Sequence, residues 1–402
     1  TVNLSVEAVT YRGQPVRQAK LNYALANREI TLNQLSALLP GNTDIAAFGF
    51  IAEKDGALQF DGNLDAATSD LRQLLNWLDI DTDGVAGGRL RQFTLGTKLT
   101  ARADAAHLKN FKLQFDGTTV TGSGSASLAG RPDMVADISV DRINLDSYLP
   151  NTAARKPAPK PAPTSPPRAQ KPDAGAAVKS GAAKEAASEI KDQGAGALAK
   201  FDARLRARIK TLTYQGLPVR GIGADIALAK GDIRINKLQI SDAAGVAANV
   251  SGSVSGLVSD MASGATAPEL KEFKFNVTGK DLNRFFKLSG LKPPFPVQGF
   301  GALKLSGTAS GKLDRINLRG KAEAFGGTLS MDGNIRALTG HGNFGPEIDA
   351  EFNLRHRDLA RLMRNLGLDY RPNKGRIGGL ALSGRLSGTP RKLKLAGLKG
   401  EA

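Results

Sequence analysis

A chain of 402 residues with 41% apolar residues, 46 Gly and only 5% aromatics is long enough for extensive burial and too long for one ordinary core. That balance suits many short strands joined by Gly turns better than a helical protein, and the absence of Cys excludes disulfides, Cys-based zinc sites and thiol nucleophiles while leaving both redox compartments open. The net charge of +17 is lopsided: residues 1–150 carry 14 Lys+Arg against 17 Asp+Glu and the remainder 41 against 21, which points the second part toward anionic surroundings or a solvated basic face.

The chain opens on clean alternation, with Val2, Leu4 and Val6 set against Asn3, Ser5 and Glu7, the period of a half-buried strand. A Gly/Pro turn at 10–17 leads to Leu21, Tyr23 and Leu25, and a turn around Asn27 leads to Ile30 and Leu32. Asp70 then heads a helical stripe in which Leu71, Leu74, Leu75 and Leu78 fall at i, i+3, i+4 and i+7. Asp-Leu, two polar or small residues and two bulky apolar ones return in Asp281, Leu282, Phe285 and Phe286, and in Asp358, Leu359, Leu362 and Met363. A worn copy, Asp146–Leu149, stops at Pro150. Each Asp is placed to accept backbone N–H bonds at a helix start.

Between these helices the pattern is strand and turn throughout. Phe93 and Leu95, then Phe111, Leu113 and Phe115, then Ile138 and Val140 alternate with polar residues, as do Ile226 and Leu228, Ile233 and Ile235, Phe273 and Phe275, Leu303 and Leu305, Ile316 and Leu318, Phe352 and Leu354, and Leu380 and Leu382. Asp116-Gly117, Lys230-Gly231 and Asp332-Gly333 read as hairpin turns, so the expected order is an antiparallel meander. Thr10–Arg17 returns as Thr213–Arg220, and the helical marks repeat at nearly the same offset, which marks a tandem duplication. Residues 1–150 form the first repeat and 201–402 the second with the start of a further unit. Residues 151–200, rich in Pro, Ala and Lys, read as a disordered linker. No apolar run of 18 residues and no signal peptide are visible, and Thr1 falls inside a strand pattern, so the chain reads as a fragment that also stops mid-unit.

Chemical signatures are scarce. None of His107, His341 and His356 stands near a second ligand at zinc spacing, and His356, between two arginines, reads as a surface residue. Gly307–Leu313 is one residue short of a phosphate loop and reads as a hairpin turn. The Gly-x-Gly pairs at 221–223 and 299–301 lead into strands rather than helices. Asp79, Asp81 and Asp83 lack the Gly and Glu of a calcium loop. Basic residues lie on polar strand faces while the Phe residues point the other way, which argues against nucleic acid. No enzyme, cofactor or metal is expected.

Strands with one apolar face need a cover, and helices of two or three turns cannot supply it. The sheet therefore either closes into sandwiches with dry cores, as in a structural or adhesin-like protein, or stays an open curved antiparallel trough with short interspersed helices, its apolar floor covered by lipid. Strands of six to eight residues would span roughly 20 to 26 Å, about an extended acyl chain. Val2, Leu4 and Val6, with the apolar strand residues from Phe93 to Leu382 named above, would line that groove. Leu71, Leu74, Leu75 and Leu78, with Leu282, Phe285, Phe286, Leu359, Leu362 and Met363, would form lid or cap helices.

The Asp-Leu helices, Tyr-x-Gly-x-Pro-Val at 11–16 and 214–219, and Gly-Ser-Gly-Ser-Ala-Ser-Leu-Ala-Gly-Arg-Pro at 122–132 resemble the AsmA-like proteins, related to TamB, of Gram-negative bacteria. The resemblance implies an inner-membrane anchor upstream, a periplasmic β-groove, and phospholipid transport that supports outer-membrane assembly, with anionic lipid, the two membranes and envelope proteins as partners.

Overall fold

The computed structural model describes residues 1–149, 200–256, 268–280, 301–336, 347–365, 378–389 and 392–401. The linker apart from Lys200, the helix expected at Asp281–Phe286 and His341 lie outside the described residues, as does the side chain of Leu359. The first part holds β1 (Val2–Tyr11), β2 (Gln14–Ala26), β3 (Glu29–Leu39), β4 (Thr43–Lys54), β5 (Ala57–Thr68), α1 (Leu71–Trp77), β6 (Phe93–Arg102), β7 (Ala105–Phe115), β8 (Thr118–Ser127), β9 (Asp133–Asn144) and a 3-10 turn, Leu145–Ser147. The second holds β10 (Asp202–Tyr214), β11 (Leu217–Ala229), β12 (Asp232–Ala243), β13 (Val246–Ser255), β14 (Glu269–Gly279), β15 (Leu303–Lys312), β16 (Arg315–Ala324), β17 (Gly327–Arg336), β18 (Glu347–His356), α2 (Leu359–Asn365), β19 (Leu380–Thr389) and β20 (Lys392–Glu401).

All strands belong to one 20-stranded sheet. β1 and β20 each pair with a single neighbour, β2 and β19, so the sheet is open. It is a long curved trough, as the alternation predicts, with strands of 10 to 13 residues that exceed the expected six to eight. One junction departs from the meander: β9 and β10 run parallel, Asp133 opposite Asp202 and Asn144 opposite Thr213. A parallel neighbour requires the chain to travel back the length of a strand between the two, which a hairpin cannot do. The sheet is unbroken across it.

Strand direction places α1, the 3-10 turn and α2 on one rim, together with the Arg12–Gly13, Asp116–Gly117 and Gln215–Gly216 turns. The opposite rim carries the Asn27–Arg28, Asp55–Gly56 and Lys230–Gly231 hairpins. Two expected turns are strand instead. Asp332-Gly333 lies inside β17, and Gly307–Lys312 inside β15, with only Leu313–Asp314 turning. These glycines serve curvature: a Cβ on Gly333 would collide with the Ala350 Cα, and one on Gly307 would sit 2.6 Å from the Phe275 ring. Mid-strand Gly lets neighbouring backbones approach and a sheet bend.

Candidate functional site

Register determines what each face presents. Residues directly opposite in adjacent strands share a face, and one such line can be followed from β3 to β19: Ala37, Ile45, Ala66, Leu95, Leu113, Val120, Val140, Ile209, Ile222, Ile240, Ala248, Val277, Leu305, Ala322, Leu329, Leu354, Leu382. Every member is apolar. Two lines on the hairpin-rim side of Phe352 behave alike: Ile316, Ile335 and Ile348 stand opposite one another near that rim, and Leu318, Gly333, Ala350, Leu386 and Leu395 two residues in. At ~4.8 Å between strands and ~6.6 Å between lines, the floor runs roughly 77 Å along and about 20 Å across.

One residue away lies the opposite surface. Asp65, Gly96, Lys112, Thr121, Ser139, Arg208, Gly223, Gln239, Asn249, Asn276, Ser306, Lys321, Ser330, Asn353 and Ser383 make the corresponding line on β5 to β19. Its charges are tied across strands, as Arg206 to Asp225 (3.4 Å), Arg319 to Asp332 (2.7 Å) and Arg385 to Asp349 (2.7 Å). The Arg385 guanidinium holds the Asp349 carboxyl below the usual carboxylate range. A cleft of about 970 Å³ opens on this polar face among Ser306, Arg319, Lys321, Asp332, Glu351 and Arg385; a twisted sheet is saddle-shaped, so each face is concave along one diagonal.

The residues expected to line the groove share the apolar face. Phe93, Leu95, Phe111, Leu113, Phe115, Ile138, Ile226, Ile233, Ile235, Phe273, Phe275, Leu303, Leu305, Leu318, Phe352, Leu354, Leu380 and Leu382 are half-buried, while Val140, Leu228 and Ile316 are buried. Val2, Leu4 and Val6 face the same way and, on an edge strand, are exposed rather than half-buried, Leu4 to 55%. Among the described residues the close contacts of each strand are chiefly with its sheet neighbours, and few side chains of the floor are fully buried.

The strand residues read from alternation leave out Ile209, Ile222, Ile240 and Leu329, which carry the same signal, and alternation breaks at bulges. Leu32 and Leu35, Leu108 and Phe111, Ile235 and Leu238, and Leu270 and Phe273 are three apart, yet all face the floor, because the register shifts between the members of each pair. An extra residue in the bulged strand restores the face. Among the described residues four buried hydroxyls share this face, Thr43, Thr68 and Thr118 toward the helical rim and Thr97 further in; Thr97 donates to the Lys98 and Lys109 carbonyls.

The helical rim is braced. The Asp70 carboxylate accepts from the Gln73 N–H (3.2 Å) and caps α1, and the Asp70 N–H donates to the Gly41 carbonyl. At the other end the Trp77 indole N–H donates to the Tyr11 carbonyl (3.1 Å), ring edge to ring. Leu71 is buried, Leu74 and Leu75 half-buried, and Leu78 is 44% exposed, so α1 is fastened at both ends as a cap. Leu362 and Met363 of α2 are half-buried. Asp116 accepts from the Leu90 N–H and from the Tyr148 hydroxyl (3.0 Å); burial, with this bond, pushes the Tyr148 hydroxyl up to about 12. Asp146 does not cap its own turn. Asn144 does that, and Asp146 accepts from the Gln215 and Gly216 N–H groups, linking the turn to β10–β11.

His356 is buried rather than superficial. Its Nδ1 accepts from the Asp358 N–H (3.0 Å), which leaves Nε2 to donate to the Phe325 carbonyl (2.7 Å); the ring fastens α2 to the β16–β17 turn. Among the described residues no cluster of His, Asp or Glu could hold a metal and no helix is long and apolar enough to cross a membrane. No family model, curated protein or solved structure matches this chain.

Proposed function

We propose that this chain is a non-enzymatic lipid-conducting trough: acyl chains lie on the apolar floor, headgroups stay in water at the rims, and lipids move along the sheet. The observation that carries the reading is the uninterrupted apolar line from Ala37 to Leu382, which crosses the parallel β9–β10 junction without a polar side chain. A two-chain lipid with about 30 methylenes leaving a bilayer faces a penalty on the order of 24 kcal/mol at ~0.8 kcal/mol per CH₂. A floor of this length offsets it at every step, and its uniformity offers no station deep enough to hold the lipid. An open sheet with half-exposed Leu, Ile and Phe weighs against closed, dry cores. The resemblance to AsmA-like proteins adds the setting: a periplasmic bridge from an inner-membrane anchor, supplying phospholipid for outer-membrane assembly.

Transfer of fluorescent phospholipid between donor and acceptor vesicles tests the proposal. Wild-type protein accelerates transfer, Phe115→Glu and Leu305→Glu lower the rate by about tenfold or more because a carboxylate on the floor is desolvated by passing hydrocarbon, and Ser306→Glu leaves it unchanged. Wild-type transfer no faster than the spontaneous rate overturns it.

A further inference from the structure

On the polar face at the hairpin rim, the last residue of β15, the first of β16 and the last of β17 stand directly opposite one another: Lys312, Arg315, Arg336. Like charges in that register repel, and the row is not neutralised in place. Glu269 and Glu347 stand at its two ends, but Glu269 is tied to Lys271 (3.4 Å), and among the described residues none of the three cations makes an ion pair. Arg336 feels Asp349, whose carboxylate Arg385 already holds. Asp314 in the intervening turn pairs with neither neighbour. The row behind it places Asn317 opposite Asn334, adding amide donors.

The duplicated half supplies a control. The equivalent row on β6 to β9 reads Arg102, Ala105, Ser127, Asp133, and Arg102 is spent on Gln59 (2.8 Å) and Asp55 (3.3 Å). The same backbone position therefore carries one ion-paired cation in the first half and, in the second, three that make no ion pair among the described residues. Directly across the sheet from the trio, one residue away along each strand, lies the floor line of Gly311, Ile316 and Ile335.

We infer that Lys312, Arg315 and Arg336 form a recognition site for the anionic phosphate headgroup of a lipid whose chains lie over Ile316 and Ile335, the headgroup folding over the lip of the trough. Guanidinium and ammonium groups suit phosphate oxygens, and the site selects by headgroup charge what the floor accepts by hydrocarbon alone. This rests on the lipid-conducting reading.

The test is recovery of lipids from full-chain protein incubated with equimolar phosphatidylglycerol and phosphatidylethanolamine vesicles, quantified by mass spectrometry. Wild-type protein enriches phosphatidylglycerol about fivefold, on the scale of a few cations near an anionic surface. K312Q/R315Q/R336Q returns the ratio to that of the vesicles with total lipid unchanged, and Leu318→Glu lowers total lipid. An unchanged ratio in the triple variant overturns the headgroup site and leaves lipid conduction standing. No lipid in wild-type protein overturns both. Full retention of the enrichment in excess inorganic phosphate supports a lipid-borne anion, whereas the same trio binding inorganic phosphate without discriminating between the lipids assigns it to the free ion and overturns the proposal.

Discussion

Leu305 and Ser306 are neighbours in β15 and belong to different surfaces. The line through Leu305 crosses the sheet from β3 to β19 without a polar side chain, while the line through Ser306 carries no apolar side chain larger than Gly from β5 to β19. Apart from the row of Lys312, Arg315 and Arg336, the polar face meets its needs largely within itself, through cross-strand pairs such as Arg319 with Asp332. The apolar face does not. Few of its side chains are buried, Val140, Leu228 and Ile316 among them, so most of the hydrophobic effect that this sequence could gain is left to whatever lies on the floor.

The contrast can be broken from either side. Val140→Glu puts a charge at a buried floor position on the parallel junction, and is expected to cost about 3 kcal/mol in urea unfolding and to abolish lipid carriage. Gly333→Ala forces a Cβ into the Ala350 backbone and is expected to cost about 2 kcal/mol, with a flatter trough and slower transfer. Acid acts on the polar face alone: Asp61 and Asp349 are held below the usual range, Asp61 first by the Gln59 hydrogen bond and Asp349 first by Arg385. Depressed folded values mean that their contribution is present above the ordinary carboxylate value of about 4 and fades as pH falls below it, so the unfolding midpoint should hold from pH 8 to about 5 and drop thereafter.

Smaller effects sharpen the picture of the rim. Tyr148→Phe removes the bond to Asp116 and is expected to cost about 1 kcal/mol. Because the Tyr148 value is raised to about 12, that support is complete below about pH 10 and is lost as pH climbs toward 12; amide exchange of the Gly117 and Gly216 turns follows it. Arg319→Ala, on a pair whose side chains are 76% and 59% exposed, should shift stability by no more than about 0.5 kcal/mol and leave lipid transfer alone.

Most of the floor was legible because strand period is two and burial is one-sided: Phe111, Leu113 and Phe115 declare their face without any neighbour. Bulges were not. Leu108 and Phe111 look out of phase until the register shift between them is known. The parallel β9–β10 pairing depends on a long-range return that no local pattern encodes. Gly333 looked like a turn because Asp-Gly is a common turn pair, whereas its requirement comes from the Ala350 backbone on the next strand. His356 looked exposed between Arg355 and Arg357, but strand alternation turns those two out and the imidazole in, where two backbone groups satisfy it. Lys312, Arg315 and Arg336 are dispersed in sequence and meet only through pairing.

The central claim is that one face carries lipid and the other does not. A photoreactive phenylalanine placed in turn at residues 303 to 310 of β15, irradiated after incubation with phospholipid vesicles, reads this directly. Lipid adducts at 303, 305, 307 and 309 with none at 304, 306, 308 and 310 are the predicted result; adducts without the period of two, or none at any position, would contradict it.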